Sequence, residues 1–264
     1  MIEIEDLHVR FNAGLPTETH PLRGLNLAIP SGQFVTVIGS NGAGKSTLLN
    51  VISGDVMPAQ GAIRIDGVDM TNLPRPLRAR HIARVFQDPL VGTCERLTVE
   101  ENMALAMDRG ARRSIRIALT AERRRLIREE LATLQLGLEH KLTAPMSALS
   151  GGQRQVVSLL MATLAPSKLL LLDEHTAALD PRTAAFVIEM SRRVANLGRL
   201  TVMMVTHSLQ QALEVGDRTV MLHGGGVILD IEGVQRDNTK VSDLLANFER
   251  FRGYKISDDA LVLG

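Results

Sequence analysis

Aromatic residues are scarce in this chain, at 3% of 264 residues, so an aromatic beside a ligand site carries more information than usual. Cysteine is scarcer still. Cys94 stands alone, which excludes an internal disulfide and suits a reducing compartment. Long apolar runs are missing: none approaches the roughly 18 to 20 residues that span a bilayer. The opening residues, Met1-Ile2-Glu3-Ile4-Glu5-Asp6, have neither the basic nor the apolar segment of a secretory signal, which predicts none. Net charge is only +1, so bulk charge points neither to a nucleic-acid binder nor to a disordered acidic chain. There is no internal repeat and no low-complexity tract. A length of 264 residues predicts one to two folded domains, and these absences predict a chain that is soluble or held at a membrane through partners. With 45% hydrophobic residues the chain can bury a large core.

Against that background short apolar runs alternate with helical patterns. Residues 35–38, 169–172, 202–205 and 220–222 read as strands buried on both faces, as in a mostly parallel sheet. Residues 2–11, 25–29 and 63–65, the last followed by Asp66-Gly67, read as antiparallel strands. Residues 12–21, with two prolines and a glycine, read as a loop. Thr98-x-x-Glu101 is a capping box that opens a helix to Met107, and a second helix is predicted over 121–135. Asp180-Pro181 starts a helix that Gly198 stops, and Ser208 caps another toward Gly216. A last short helix is predicted over 241–251.

The richest stretch is Gly39-Ser40-Asn41-Gly42-Ala43-Gly44-Lys45-Ser46-Thr47. It lies between an apolar strand and a helix closed by Gly54. Glycines let backbone N–H groups turn inward, and the helix N-terminus adds positive potential, so the run is a phosphate cradle. Lys45 can reach the β- and γ-phosphates of a nucleotide and the Ser46 hydroxyl can join the shell of Mg²⁺. Asp173 and Glu174 end a run of four leucines. At the C-terminal end of a parallel strand two carboxylates face a ligand crevice; Asp173 would hold Mg²⁺ and Glu174 would orient the attacking water. Leu149-Ser150-Gly151-Gly152-Gln153 opens another helix and forms a second anion site. It serves either another molecule's nucleotide or another part of the same phosphate.

Over about residues 1–235 the chain resembles the ATP-binding subunit of an ABC (ATP-binding cassette) transporter. Leu149–Gln153 matches the family signature without a change. The resemblance implies an α/β fold: a P-loop NTPase core with a mostly parallel sheet, an antiparallel β subdomain and a helical insertion. It implies a core with its phosphate loop over 1–87, a helical signature subdomain over 88–160, the rest of the core over 161–235 and a C-terminal extension over 236–264. It further implies ATP and Mg²⁺ as cofactors. Gln87 would sense Mg²⁺ and the γ-phosphate, His207 would contact the γ-phosphate, Asp180 would cross a dimer interface, and Phe11 would stack on adenine. Ser150, Gly151, Gly152 and Gln153 would face the nucleotide of a second copy.

Three positions depart from the family pattern: His175 stands for the usual proline, Ala177 for a common serine, and Phe11 for tyrosine. The partners implied are a second ATPase subunit, an integral membrane permease and, indirectly, a solute-binding protein, with no nucleic acid, at the cytoplasmic face of the membrane. Local strings around Val91-Gly92-Thr93 and 173–180 resemble a subgroup whose permeases are of the branched-chain amino acid and sugar type. That makes an amino acid or similar small solute the expected cargo. A soluble clamp on DNA or ribosomes, an exporter subunit, a small-molecule kinase and a non-catalytic scaffold are the rival readings. The arginine-rich stretch Arg109, Arg112, Arg113, Arg116, Arg123, Arg124, Arg125 and Arg128 reads as a solvated face or as a surface toward lipid head groups or the permease.

Overall fold

Leucine- and valine-rich runs form the strands, and polar caps start most of the helices. The computed structural model describes residues 1–111, 117–198 and 200–252, with 197, 198 and 252 by backbone alone. In chain order come β1 (Ile2–Phe11), β2 (Thr19–Ile29), β3 (Phe34–Gly39), α1 (Lys45–Ser53), β4 (Gln60–Ile65), β5 (Val68–Asp69) and α2 (Arg75–Arg78). Then follow β6 (Ile82–Val85), α3 (Val99–Met107), α4 (Ala121–Ala132), α5 (Gly151–Thr163), β7 (Leu169–Asp173) and α6 (Pro181–Gly198). The chain continues with β8 (Thr201–Val205), α7 (Leu209–Val215), β9 (Arg218–His223), β10 (Gly226–Glu232), α8 (Gly233–Asp237) and α9 (Val241–Arg252). Two compact units share these elements. One holds residues 1–78 and the elements from β8 onward; the other spans residues 79–198.

In the first unit β2, β1, β4 and β5 form an antiparallel sheet in that order. A bulge at Asp6, with φ of 45°, shifts the alternation of β1, so Ile2, Ile4, Leu7 and Val9 are all buried. The predicted loop over 12–21 is shorter than expected. Strand β2 begins at Thr19, because Thr19 pairs with Phe11. Pro21 is tolerated there since β2 lies at the sheet edge, where a missing N–H breaks no ladder. In the same unit β3 pairs in parallel with β8 and β9, and β10 runs antiparallel to β9. All six residues of β3 are buried. Neither β10 nor α8 was expected, because β10 is half-buried along most of its length and shows little contrast between its faces. The C-terminal helix α9 belongs to this unit's core: Leu244 and Phe248 pack with Ile38, Leu209, Ala212, Met221 and Ile231.

In the second unit β6 and β7 pair in parallel from Ile82 opposite Leu169 to Val85 opposite Leu172. The expected capping box is present: Thr98 Oγ1 accepts from the Glu101 N–H, and the Glu101 carboxylate accepts from the Thr98 N–H. The helix expected over 121–135 ends at Ala132 instead. Gln135 and Gly137 both take positive φ, which a helix cannot continue through.

Much of the arginine-rich stretch is spent inside this unit. Arg109 donates to the carbonyls of Ala162 and Ala165, each at 2.8 Å, at the C-terminal end of α5. Arg123 pairs with Asp108 at 2.7 Å and Arg124 with Glu100 at 2.7 Å. Arg125 and Arg128 are exposed, and Arg112, Arg113 and Arg116 lie outside the described residues.

Candidate nucleotide site

The phosphate loop follows β3, and its shape is enforced by close approach. A Cβ on Gly39 would meet the Leu222 carbonyl oxygen at 2.5 Å, and one on Gly44 would meet the Pro21 oxygen at 2.5 Å. Gly44 also has φ of 101° and forms the N-cap of α1, so two independent constraints require glycine there. That cap supplies no side-chain hydrogen bond, and the first N–H groups of α1 can therefore turn to an anion. Lys45 is buried, and its Nζ donates to the Gly39 oxygen at 2.7 Å and the Ser40 oxygen at 3.3 Å. The ammonium thus arches back over the loop it follows. Asn41, Gly42 and Ser46 are exposed, Ala43 is buried and Thr47 is half-buried.

His207 is carried by the same unit. Val37 of β3 stands opposite Val205 of β8 in parallel register, so the segments after both strands emerge side by side. The Thr206 N–H donates to the Val37 oxygen, and the Ser208 N–H to Thr206 Oγ1 at 3.1 Å. Ser208 Oγ then caps α7 by accepting from the Gln211 N–H. His207 is held between these anchors, half-buried. Phe11, at the end of β1, keeps 38% of its surface exposed, as an aromatic platform requires.

The second unit carries the acids. Because β6 and β7 pair in register, Gln87 follows one strand where Asp173 ends its neighbour. Asp173 Oδ2 accepts from Arg84 Nη2 at 2.6 Å, with both side chains nearly buried. Glu174 takes φ of 44°, a left-handed backbone that costs a non-glycine residue of order 1 kcal/mol or more and turns the chain off the strand. Gln87 is exposed.

Next comes the signature helix α5. Ser150 Oγ accepts from the Gln153 N–H and Gln153 Oε1 from the Ser150 N–H, both at 3.3 Å, a reciprocal cap. Gly151 and Gly152 differ sharply. A Cβ on Gly151 would meet nothing within 4 Å, whereas one on Gly152 would collide with Thr183 Cγ2. Gly152 is therefore small for the sake of α6, and Gly151 leaves open space above the helix end. Asp180 Oδ1 accepts from the Thr183 N–H at 3.1 Å and so caps α6. The Thr183 hydroxyl and N–H hold its carboxyl below the usual carboxylate range.

Sequence reasoning missed three side chains of this unit. Arg84 grips Asp173. Gln155 is buried and donates to the Phe86 carbonyl at 3.2 Å, tying α5 to the residue before Gln87. Ser191 bonds His175 at 2.9 Å. Each partner lies far away in sequence, so no local signal announces it.

The donor set fits a hard divalent cation. Each side chain expected to hold it, Ser46 in the first unit and Gln87 and Asp173 in the second, carries an oxygen donor. Among the described residues no cluster of three His, Cys, Asp or Glu could hold a metal by itself. Oxygen donors with few carboxylates suit Mg²⁺, which takes one or two carboxylates and relies on phosphate oxygens and water for the rest.

The chain is similar in sequence and fold to known proteins. The family described as ABC transporter matches residues 22–177. The tyrosine transport ATP-binding protein of Clostridioides difficile is 42% identical over 249 residues, covering 94% of this chain and 99% of that protein. The phosphonates import ATP-binding protein PhnC 1 of a Ruegeria species is 35% identical over 87% of this chain and 88% of that protein. Among solved structures, the dimeric post-hydrolysis state of the ATP-binding cassette MJ0796, bound to ADP and Pi, superposes with a TM-score of 0.76 at 28% identity. It covers 88% of this chain and 98% of that one. The chain belongs to the ABC transporter family, as one of its ATP-hydrolysing cassettes.

Proposed function

We propose that this cassette energises solute import through a separate membrane permease. The observation that carries the reading is the pair of prepared helix ends. One is the glycine-enforced loop before α1 with Lys45 arched over it. The other is the capped α5 N-terminus with open space at Gly151. One nucleotide rarely needs two such ends from one chain, so the second end serves the nucleotide of a second copy in a head-to-tail homodimer. The dimeric MJ0796 structure supports that reading by likeness.

In this scheme the backbone of residues 39–47 cradles the phosphates and Lys45 neutralises the β- and γ-oxygens. Ser46, Gln87 and Asp173 hold Mg²⁺, which supplies charge neutralisation at the phosphates when bound. Glu174 orients and polarises the attacking water. His207 donates to the γ-phosphate, and Phe11 stacks on adenine. Ser150, Gly151, Gly152 and Gln153 receive the partner's γ-phosphate, while Asp180 borders the interface. Catalysis is then positioning plus electrostatic stabilisation. The γ-phosphate links two copies, and its loss releases them, a switch driven by differential contact.

No helix among the described residues is long and apolar enough to cross a membrane. In this reading the permease is a separate chain and the cassette sits on its cytoplasmic face, as the likeness to import ATP-binding proteins supports. Segment 88–160 is the part that faces it, flanked by core segments 1–87 and 161–235, with 236–264 as an extension. A solute-binding protein acts on the far side of the permease. The relative named for tyrosine transport supports an amino acid as cargo, and the strings at 91–93 and 173–180 support a permease of the branched-chain amino acid and sugar type.

The test is assembly. Purified Glu174→Gln protein with ATP and Mg²⁺ is expected to shift to a dimer in sedimentation, and ADP to return it to monomer. A species that stays monomeric with ATP, alone and on its permease, overturns the proposal.

A further inference from the structure

Arg84 lies near the end of β6, opposite Leu171 of β7. Its Nη2 donates to Asp173 Oδ2 at 2.6 Å, with side-chain exposures of 10% and 13%. The guanidinium carbon also lies 4.7 Å from the centroid of the Phe86 ring. The Phe86 carbonyl accepts from Gln155 of the signature helix, and the next residue is Gln87. One cation therefore touches the acid assigned to Mg²⁺ and the residue that carries the glutamine into place.

Two cations drawn to one carboxylate divide its single negative charge and repel each other. A divalent ion that recruits Asp173 must weaken the Arg84 grip, and the nearly dry setting makes that competition stronger than it would be in water. The Phe86 face offers the displaced guanidinium a second stabilising contact. Any shift of Arg84 is felt at the Phe86 ring, immediately before Gln87.

We propose that Arg84 is a positioning residue: a built-in counter-cation that holds Asp173 and competes with the divalent ion for it, so that it sets how much Mg²⁺ the cassette requires. The proposal rests on the reading of Asp173 as the metal-holding acid.

Direct metal binding tests it without turnover. Free Mn²⁺ is followed by electron paramagnetic resonance as it titrates the full chain loaded with a non-hydrolysable ATP analogue. Arg84→Gln is expected to tighten Mn²⁺ binding roughly three- to tenfold, the scale of a lost half-buried ion pair. Arg84→Lys keeps the charge but loses the fork and is expected to fall between Arg84→Gln and wild type. In an Asp173→Asn background the Arg84→Gln shift should vanish. A flat or reversed order overturns the proposal. Should Arg84→Gln fail to fold, Arg84→Lys against wild type decides alone: tighter binding supports competition, and equal or weaker binding refutes it. If Asp173→Asn by itself leaves Mn²⁺ binding untouched, the assignment of Asp173 falls, a result distinct from an unresponsive Arg84.

Discussion

His175 Nε2 lies 2.9 Å from the hydroxyl of Ser191, one residue beyond the turn at Glu174 and fully inside the protein. The Ser191 hydroxyl donates to the Val187 carbonyl at 2.8 Å, so its oxygen accepts from an Nε2–H, and the ring is neutral in that tautomer. Burial pushes its pKa down to about 4. Where the family usually has proline, this chain thus pins the start of the segment after Glu174 to α6.

A pH dependence follows from this pair. The folded ring resists protonation until about pH 4, while an unfolded histidine takes a proton near its ordinary value of about 6.5. Between those values the unfolded chain binds the extra proton. This contribution is therefore fully present above about pH 6.5 and is lost as pH falls toward 4. At pH 5 the loss is about 2 kcal/mol relative to pH 7.5. Urea unfolding of wild type and His175→Gln at both pH values is the measurement. The variant, which has no titrating ring, should lack that extra loss. Equal pH dependence in both proteins would rule the assignment out.

Glu174→Gln keeps the size of the side chain and removes the base. ATP binding should persist while steady-state hydrolysis falls at least ~100-fold, the scale of a lost general base. Phosphate release assays beside nucleotide-binding titrations separate the two effects. Turnover within a few-fold of wild type would remove Glu174 from the reaction.

The two glycines of the signature should fail in different ways. Gly152→Ala drives a methyl into Thr183 and is expected to destabilise the fold by about 1–3 kcal/mol, the cost of overpacking. Thr183→Ser, which removes the offending methyl, should restore most of it. Gly151→Ala meets open space, so its melting temperature should stay close to wild type while ATP-driven dimerisation weakens. A Gly151→Ala protein that dimerises normally would show that the space is not used.

Arg109 and Arg125 separate structure from surface within the arginine-rich stretch. Arg109→Leu leaves the Ala162 and Ala165 carbonyls without their guanidinium and should cost about 1–3 kcal/mol in denaturant unfolding. Arg125 is exposed, with a loose contact to Glu129 at 3.8 Å, and Arg125→Ala should stay within about 0.5 kcal/mol of wild type. Similar losses at both positions would contradict this division.

Features that depend on neighbours in sequence were readable before any fold was known. The capping box at Thr98–Glu101, the helix start at Ser150, the Asp180 cap and the turn at Gly44 are all closed within a few residues. A local hydrogen bond needs only local residue types. By contrast Pro21 looked like a loop residue until β1 paired with β2 and placed it on a sheet edge. Strand β10 stayed hidden because its half-buried residues follow no clear alternation.

The amino-acid order by itself determined where phosphate-binding turns, acid-ended strands and helix caps occur, because their chemistry rests on short-range spacing and backbone freedom. Only the tertiary structure decided which distant groups meet. Arg84 reaches Asp173 across 89 residues and Gln155 reaches Phe86 across 69. Gly152 must stay small because α6 lies against it. Those relationships come from packing the strands and helices of the second unit densely, where the cost of a void, a clash or an unpaired charge selects partners that no linear pattern names.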